Sequence, residues 1–143
     1  MRVPLVVAGP GVACPGVVER PVDVSYLFAS IVGASLNGGL LTGVAVAGVS
    51  LLPSLEDRDA PAHRPDVVTQ LLAGQNPADR LGSASRNARF KFIRTLAGVE
   101  SLYDLDADPR EVAELLKISP LATDAQAAFE ALGATLDGAG LAP

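Results

Sequence analysis

The feature that most restricts how this chain can fold is a stretch without any charged side chain, residues 24–55. Asn37-Gly38-Gly39 divides it into two halves, each shorter than the roughly 20 consecutive apolar residues needed to cross a bilayer. Apolar runs of this length are typical of a buried protein core. We therefore expect core packing here and regard a membrane partner as the less favoured reading. A small membrane-associated protein that uses residues 24–55 is kept as an alternative.

Composition and charge exclude several classes of function. The chain has 143 residues, about one domain, and 49% of them are hydrophobic, which argues against intrinsic disorder. The formal net charge of −5 and the absence of a basic cluster argue against a nucleic-acid partner. Cys14 is the only cysteine and His63 the only histidine. An intrachain disulfide, a thiolate-rich metal site and a multi-histidine metal site are therefore impossible.

The first residues form neither a convincing signal peptide nor a span. Residues 3–8 are a short apolar run broken by Pro4, whereas the apolar region of a secretory signal needs roughly 7–15 residues. The run instead predicts a strand buried on both faces, which ends at the turn Gly9-Pro10-Gly11. The compartment is not indicated by the sequence.

A helix is predicted over residues 23–34, with Asp23 as its N-cap. Its expected inward stripe is apolar at helical spacing and consists of Leu27, Ile31 and Ala34, widened by Val24 and Phe28. Residues 40–49 are expected to be strand or irregular core, and residues 50–55 a short helical turn. Residues 56–65 carry charges and prolines and are predicted to be a linker.

Beyond the linker the pattern changes to short strands and helices. Residues 67–73 are interpreted as strand, or alternatively helix, and residues 75–83 as a polar loop. Alternating apolar side chains predict a strand over residues 88–95, which a turn at Gly98 joins to a second strand over residues 101–105. Helices are expected over residues 109–117 and 123–136, the latter carrying Ala127, Ala128, Ala131 and Leu132.

The start of the predicted helix 109–117 has the strongest local signal in the chain. Asp108 is expected to accept hydrogen bonds from the free N–H groups of the first turn, and Pro109 suits the first helical position. Glu111 stands where a capping box places a carboxylate.

Candidate chemical sites near the start of the chain all have a plainer structural interpretation. Gly9-Pro10-Gly11 with Gly16 lacks the lysine of a phosphate loop, so we expect a turn. Asp57, Asp59 and His63 lack the spacing of a calcium loop, so we expect a solvated linker. Cys14 has no base near it in sequence, so we expect an inert thiol.

Two charged groups later in the chain also favour structural roles. Asp104, Asp106 and Asp108 are expected to cap turns and a helix start, with a weak cation contact as the alternative. The concentrated positive charge is expected to form the solvated face of a strand, with an anionic substrate as the alternative, and consists of Arg86, Arg89, Lys91 and Arg94. We therefore predict no catalytic, cofactor-binding or metal-binding residue in this chain.

Three blocks of sequence resemble the C-terminal part of sulfatases, in the alkaline-phosphatase-like superfamily. RVPLVVAGPG at residues 2–11, with Gly16, looks like the family's core strand and turn. Residues 21–55 look like a family helix and the segment that follows it, here GVSLLP at residues 48–53. RFKFI at residues 89–93 with LYDLDADPRE at residues 102–111 looks like the family's terminal hairpin and capped helix.

The departures from the family pattern concern scaffold positions and the nucleophile. Tyr26, Ala29 and Ser30 stand where the family usually has aspartate, proline and threonine, and Glu114 stands where asparagine is common. The family's nucleophile motif is cysteine or serine, any residue, proline, any residue, arginine. Cys14 is followed by Pro-Gly-Val-Val, so the motif is not met and no catalytic residue is carried over.

The resemblance implies an α/β fold: the C-terminal part of an alkaline-phosphatase-like fold, with one buried core strand plus helix, then a small antiparallel-sheet subdomain with C-terminal helices. It implies three segments: residues 1–55 as the end of the core, 56–65 as linker and 66–143 as the subdomain. For the intact family enzyme it implies hydrolysis of sulfate esters with calcium and formylglycine. Related phospho- and phosphonate hydrolases are not separated from sulfatases by these residues.

The resulting expectation is a C-terminal fragment of a sulfatase-like sulfuric ester hydrolase that is inactive on its own. Its expected partner is the missing N-terminal sulfatase region. The alternative is a non-catalytic scaffold module that pairs with a separate N-terminal chain.

Overall fold

The computed structural model describes residues 4–13, 15–35, 48–61, 64–71 and 81–139. The chain divides into two compact units, residues 1–63 and residues 64–143. The point of division lies inside residues 56–65, which the sequence predicts as a linker. The predicted three-segment organisation itself stays a prediction.

The first unit contains two helices, α1 (Ser25–Ser35) and α2 (Leu52–Glu56). The side chain of Asp23 accepts a hydrogen bond from Ser25 N at 2.7 Å, so it stabilises the start of α1 as an N-cap residue does. The predicted first helix and the predicted helical turn over residues 50–55 are therefore confirmed. Residues 40–47 of the predicted strand or irregular core lie outside the described residues.

The face that α1 buries is not the predicted one. Tyr26, Ala29 and Gly33 are buried, whereas Phe28 is 60% exposed and Ile31 is 64% exposed. Because α1 carries no charged residue on any side, its sequence pattern could not identify which apolar face turns inward.

Small residues determine the buried face of α1. Ser30 Oγ accepts a hydrogen bond from Leu51 N at 2.7 Å, and a Cβ added to Gly33 would lie 3.1 Å from Leu52 Cδ1. These short separations require side chains without bulk at the contact. The close packing of α1 against residues 50–52 therefore selects the small-residue face.

Most of the predicted strand over residues 3–8 is described, and that part is not a strand. Residues 4–8 form neither helix nor strand, and Val6 is 85% exposed. A strand requires a neighbouring strand for its backbone hydrogen bonds, and the described part of the first unit contains none. The following turn is present, because Val12 N donates to Gly9 O at 3.3 Å.

The second unit is a four-stranded antiparallel sheet followed by a helix. The strands are β1 (Val67–Leu71), β2 (Gly82–Arg86), β3 (Phe90–Thr95) and β4 (Glu100–Asp104), in the order β1-β2-β3-β4. The helix α3 (Thr123–Gly138) closes the unit. The structure confirms the α/β class with a C-terminal antiparallel sheet, including the predicted hairpin and the predicted last helix.

The core of the second unit lies between α3 and one face of the sheet. Phe92 and Leu102 are fully buried on β3 and β4, and Phe92 meets Phe129 edge-on with ring centroids 5.3 Å apart. From α3, Leu132 and Leu136 complete the buried cluster. Ala128 of α3 is also buried.

The alanines of α3 do not all face the sheet. Ala127 and Ala131 are exposed. The buried stripe instead follows Ala125, Ala128, Leu132 and Leu136, because the helical periodicity places these residues on the face toward the sheet.

Strand β2 was not predicted, because its sequence GSASR has no alternating large apolar side chains. A Cβ on Gly82 would collide with the backbone of Arg94, so this position requires glycine. Ser85 is fully buried, and its hydroxyl donates to Leu132 O at 2.8 Å. Of the predicted polar loop over residues 75–83, residues 75–80 lie outside the described residues, and its end at Gly82 and Ser83 is strand.

The predicted helix over residues 109–117 is wrong. Only a 3₁₀-helix over Leu115–Lys117 forms there, and Glu111 has a left-handed backbone with φ of +58°. The Glu111 carboxylate contacts Lys91 Nζ at 2.6 Å. Glu114 Oε1 accepts from Leu102 N at 3.1 Å and from Leu116 N at 2.7 Å. Contacts with the sheet thus replace the expected helical turn.

Candidate functional site

The positive charges on and beside β3 are the candidates for an anion-binding site, since an anionic substrate would need cations. Arg89 lies just before β3, and its guanidinium contacts Asp104 Oδ2 and Asp124 Oδ2, each at 2.7 Å. It also lies 4.5 Å from the centroid of the Phe90 ring. Hydrogen bonding to Asp104, and then to Asp124, raises the pKa of Arg89, which stays charged in any case.

Arg94 repeats this arrangement at the other end of β3. Its Nε is 2.9 Å from Glu100 Oε1 and its Nη1 is 2.6 Å from Asp137 Oδ1. The guanidinium lies 5.4 Å from the centroid of the Phe92 ring. The hydrogen bonds that Arg94 donates to Asp137 and Glu100 raise its pKa. Each of the two arginines is therefore paired with one carboxylate of the hairpin and one of α3.

The remaining two cations also have partners. Lys91 Nζ is 2.6 Å from Glu111 Oε2, and Arg86 Nε donates to Asn87 O at 3.3 Å. The side chains of Lys91 and Arg94 are only 24% and 20% exposed. The predicted solvated face is thus wrong for these two residues, because ion pairing holds them against the sheet.

Asp104, the first residue of the alternating acidic run, stabilises a turn with its side chain, as the sequence predicts. Asp104 Oδ1 accepts from the N–H groups of Asp106 and Ala107, at 3.0 and 3.2 Å. The hydrogen bond from Arg89 is the main cause that lowers the pKa of the Asp104 carboxyl, and these backbone bonds add to it.

Asp108 organises the loop that replaces the predicted helix. Its carboxylate accepts from Val112 N and Ala113 N, both at 2.6 Å, and from Arg110 N at 3.2 Å. These backbone donors, that of Ala113 first, lower the pKa of the Asp108 carboxyl. The acceptor role predicted for Asp108 is confirmed, although the donors belong to a loop.

The other sequence candidates are not brought together into a site. Cys14 and His63 lie outside the described residues. Asp57 ends α2, and its Oδ1 accepts from Asp59 N at 2.9 Å. Within residues 4–13, 15–35, 48–61, 64–71 and 81–139, no group of three or more His, Cys, Asp or Glu side chains is placed to hold a metal ion.

Sequence reasoning missed the partners of the charged residues. Glu100, Glu111, Asp124 and Asp137 were not predicted as ion-pair partners, although each contacts a cation of the hairpin. Glu114, noted only as a departure from a family pattern, joins β4 to the 3₁₀-helix. The available signal was the excess of acidic over basic residues in the chain, 16 against 11. No described helix is long and apolar enough to cross a membrane.

Comparison with known proteins places these features in a family context. The chain is 34% identical over 119 residues to choline-sulfatase of Rhizobium meliloti, a match that covers 80% of the chain and 21% of that protein. A candidate sulfatase of Bacteroides thetaiotaomicron superposes with a TM-score of 0.52 at 30% identity over 67% of the chain and 22% of that structure. No protein-family model matches the chain.

A second solved structure gives the same result. A 2-O GAG sulfatase superposes with a TM-score of 0.51 at 30% identity, and the match covers 68% of the chain and 21% of that protein. The chain thus spans about a fifth of the length of each of these relatives. This partial coverage fits the C-terminal portion that the three sequence blocks resemble.

Proposed function

Because this chain is a homologue of the sulfatases, we propose that it forms the C-terminal portion of a sulfatase-type hydrolase and serves there as scaffold. The observation that carries the proposal is the similarity over 80% of this chain to only 21% of a choline-sulfatase. The intact enzyme would hydrolyse a sulfate ester. The names of two relatives indicate different substrates, choline sulfate and a 2-O-sulfated GAG. The proposal therefore specifies the sulfate ester bond that is cleaved and does not specify the alcohol that carries the sulfate.

The state of the charged residues supports a scaffold role. A sulfate ester needs cations that are free to contact its oxygens, as well as a nucleophile. Arg89 and Arg94 each contact two carboxylates already, and Lys91 contacts one. The sequence also contains no cysteine or serine in the family's nucleophile motif.

The calcium ion that the family implies does not fit the described residues, since they contain no cluster of carboxylates, histidines or cysteines arranged for a metal. Calcium and formylglycine are therefore assigned to the remainder of the intact enzyme. We derive no catalytic step through either group for this chain.

The exposed run at residues 4–8 supports a partner that supplies further sheet. Aliphatic residues with this density favour a strand covered on both faces, yet Leu5, Val6 and Val7 are 43%, 85% and 41% exposed. The same run resembles the family's core strand. We propose that it pairs with strands of the N-terminal sulfatase region.

A second candidate function is a non-catalytic module that pairs with a separately encoded N-terminal chain. The same exposed run at residues 4–8 supports it, because the strands that would flank this run can come from another polypeptide. The DNA that precedes the Met1 codon separates the two cases. An upstream reading frame that encodes the nucleophile motif, in frame with this chain, supports one enzyme, and a separate frame with its own stop codon supports the module.

The activity test uses the purified chain with a chromogenic aryl sulfate and calcium. We expect no turnover, because the chain lacks the nucleophile motif and Arg89, Lys91 and Arg94 are ion-paired. The control is a hybrid in which the chain replaces the corresponding C-terminal region of the Rhizobium meliloti choline-sulfatase, assayed on choline sulfate. Turnover by the isolated chain that survives repeated purification would overturn the scaffold proposal.

A further inference from the structure

The outward face of α1 is apolar and uncovered, whereas the apolar face of α3 in the second unit is buried against the sheet. This face consists of Val24, directly before α1, with Phe28 and Ile31 at helical spacing, and these residues are 80%, 60% and 64% exposed. The opposite face of the same helix is buried at Tyr26, Ala29 and Gly33. An α-helix that is apolar on opposite sides is typical of a position between two packed layers. Only one of those layers, residues 48–56, is described in this unit.

We infer that the outward face of α1 is a docking surface for the N-terminal part of a sulfatase. The inference rests on the proposed function and deepens it by naming the residues that join the two parts. The relatives are about five times as long as the matched segment, so the remainder of such an enzyme is large enough to supply a covering layer. The second unit has a core of its own between α3 and the sheet, whereas the described residues of the first unit leave this face of α1 exposed.

The chemistry of the face favours a protein surface over a bilayer. Helices that lie on anionic membranes carry lysine and arginine on their polar face, and α1 has no charged residue. Its 11 residues are also far fewer than a membrane crossing needs. The surface that covers Val24, Phe28 and Ile31 should therefore be apolar and uncharged, as the inner layer of an α/β protein is.

The test uses the full chain in place of the C-terminal region of Rhizobium meliloti choline-sulfatase. Hydrogen exchange of residues 25–35 should be slower in this hybrid than in the isolated chain, because docking protects α1. Val24→Lys with Ile31→Lys should strongly reduce the yield of soluble, monodisperse hybrid, since two charges would be buried without partners.

A matched control is available in the second unit. Val112 is 81% exposed and Ile118 is 56% exposed, so Val112→Lys with Ile118→Lys makes the same chemical change at similarly exposed positions. These substitutions should leave the hybrid's yield and α1 protection unchanged. Equal tolerance of both pairs, or equal loss with both pairs, would overturn the docking surface.

The remaining outcomes separate this inference from the proposed function. A hybrid that assembles with α1 protected but does not hydrolyse choline sulfate supports the docking surface and counts against the proposed function. A hybrid that does not assemble counts against both. A dimer of the isolated chain that Val24→Lys with Ile31→Lys converts to monomer identifies a second copy as the occupant, and vesicle binding lost in the same variant identifies a bilayer. Either result overturns the choice of partner.

Discussion

The core of the second unit can be tested by replacing Leu132 with alanine. Leu132 is 1% exposed and belongs to the buried cluster with Phe92, Leu102 and Leu136. The change removes three buried carbon atoms, or roughly 2.4 kcal/mol at about 0.8 kcal/mol for each. The cavity left among these rigid neighbours raises the expected loss to about 3–4 kcal/mol. The hydrogen bond from Ser85 Oγ uses the backbone carbonyl of Leu132, so it remains.

The assay is urea unfolding of the full chain, followed by far-UV circular dichroism because the sequence contains no tryptophan. Residues 64–143 should have a free energy of unfolding of about 4–12 kcal/mol, so the loss is a large, measurable fraction. Leu96→Ala is the matched control, since Leu96 is 53% exposed in the β3–β4 turn and should lose less than about 0.5 kcal/mol. If Leu96→Ala proved as costly as Leu132→Ala, the packing of α3 on the sheet would be refuted.

Two further predictions concern the acidic residues of the second unit. Asp108→Ala should destabilise it more than Glu111→Ala in the same urea assay, because the Asp108 carboxylate accepts three backbone N–H groups while Glu111 makes one partly exposed ion pair; a larger effect at Glu111 would contradict this. The folded-state pKa values of Asp104 and Asp108 are lowered, so their stabilisation is fully present above the unfolded value of about 3.9 and is lost as pH falls through the lower folded values. Stability should therefore decline below about pH 4, and the variant with Asp104→Asn and Asp108→Asn should show a shallower decline in urea titrations; an unchanged slope would contradict the assignment.

The parts of the fold that could be predicted are those in which local pattern and tertiary packing agree. The alternation around Phe90 and Phe92 predicts β3, and both side chains are buried. The apolar spacing after Thr123 predicts α3 to within two residues of its observed end at Gly138. The sequence did not predict β2, because this strand has no row of large apolar side chains. It is stabilised by pairing with β1 and β3 and by the Ser85 hydroxyl, which donates to Leu132 O.

The predicted helix over residues 109–117 was wrong because residues distant in sequence bind its carboxylates. The Asp108-Pro109 signal for a helix start is strong, and Asp108 does accept backbone N–H groups. However, the carboxylate of Glu111 binds Lys91, and that of Glu114 accepts a hydrogen bond from Leu102 N. These contacts with the sheet compete with a continuous helix. No pattern within residues 109–117 reveals that the sheet lies beside them.

The prediction that the chain has no catalytic residues stays a prediction, but the sequence did indicate that its charged residues serve structure. It could not show which residues pair, because Arg89 and Asp124, like Arg94 and Asp137, meet only after α3 folds back across the sheet. Pairing of this kind depends on topology. The sequence shows that acidic residues outnumber basic ones, but it does not show which acidic residue lies beside which arginine.

The two arginine clusters give basic residues of this sulfatase homologue a structural role. Arg89 joins the end of β4 to the start of α3, and Arg94 joins the start of β4 to the end of α3. The charge of an arginine that contacts two carboxylates is already offset by theirs. Releasing the guanidinium to bind a sulfate ester would detach one end of α3 from the sheet. Positioning of the helix and binding of an anion therefore compete for the same side chains, and the observed geometry uses them for the helix.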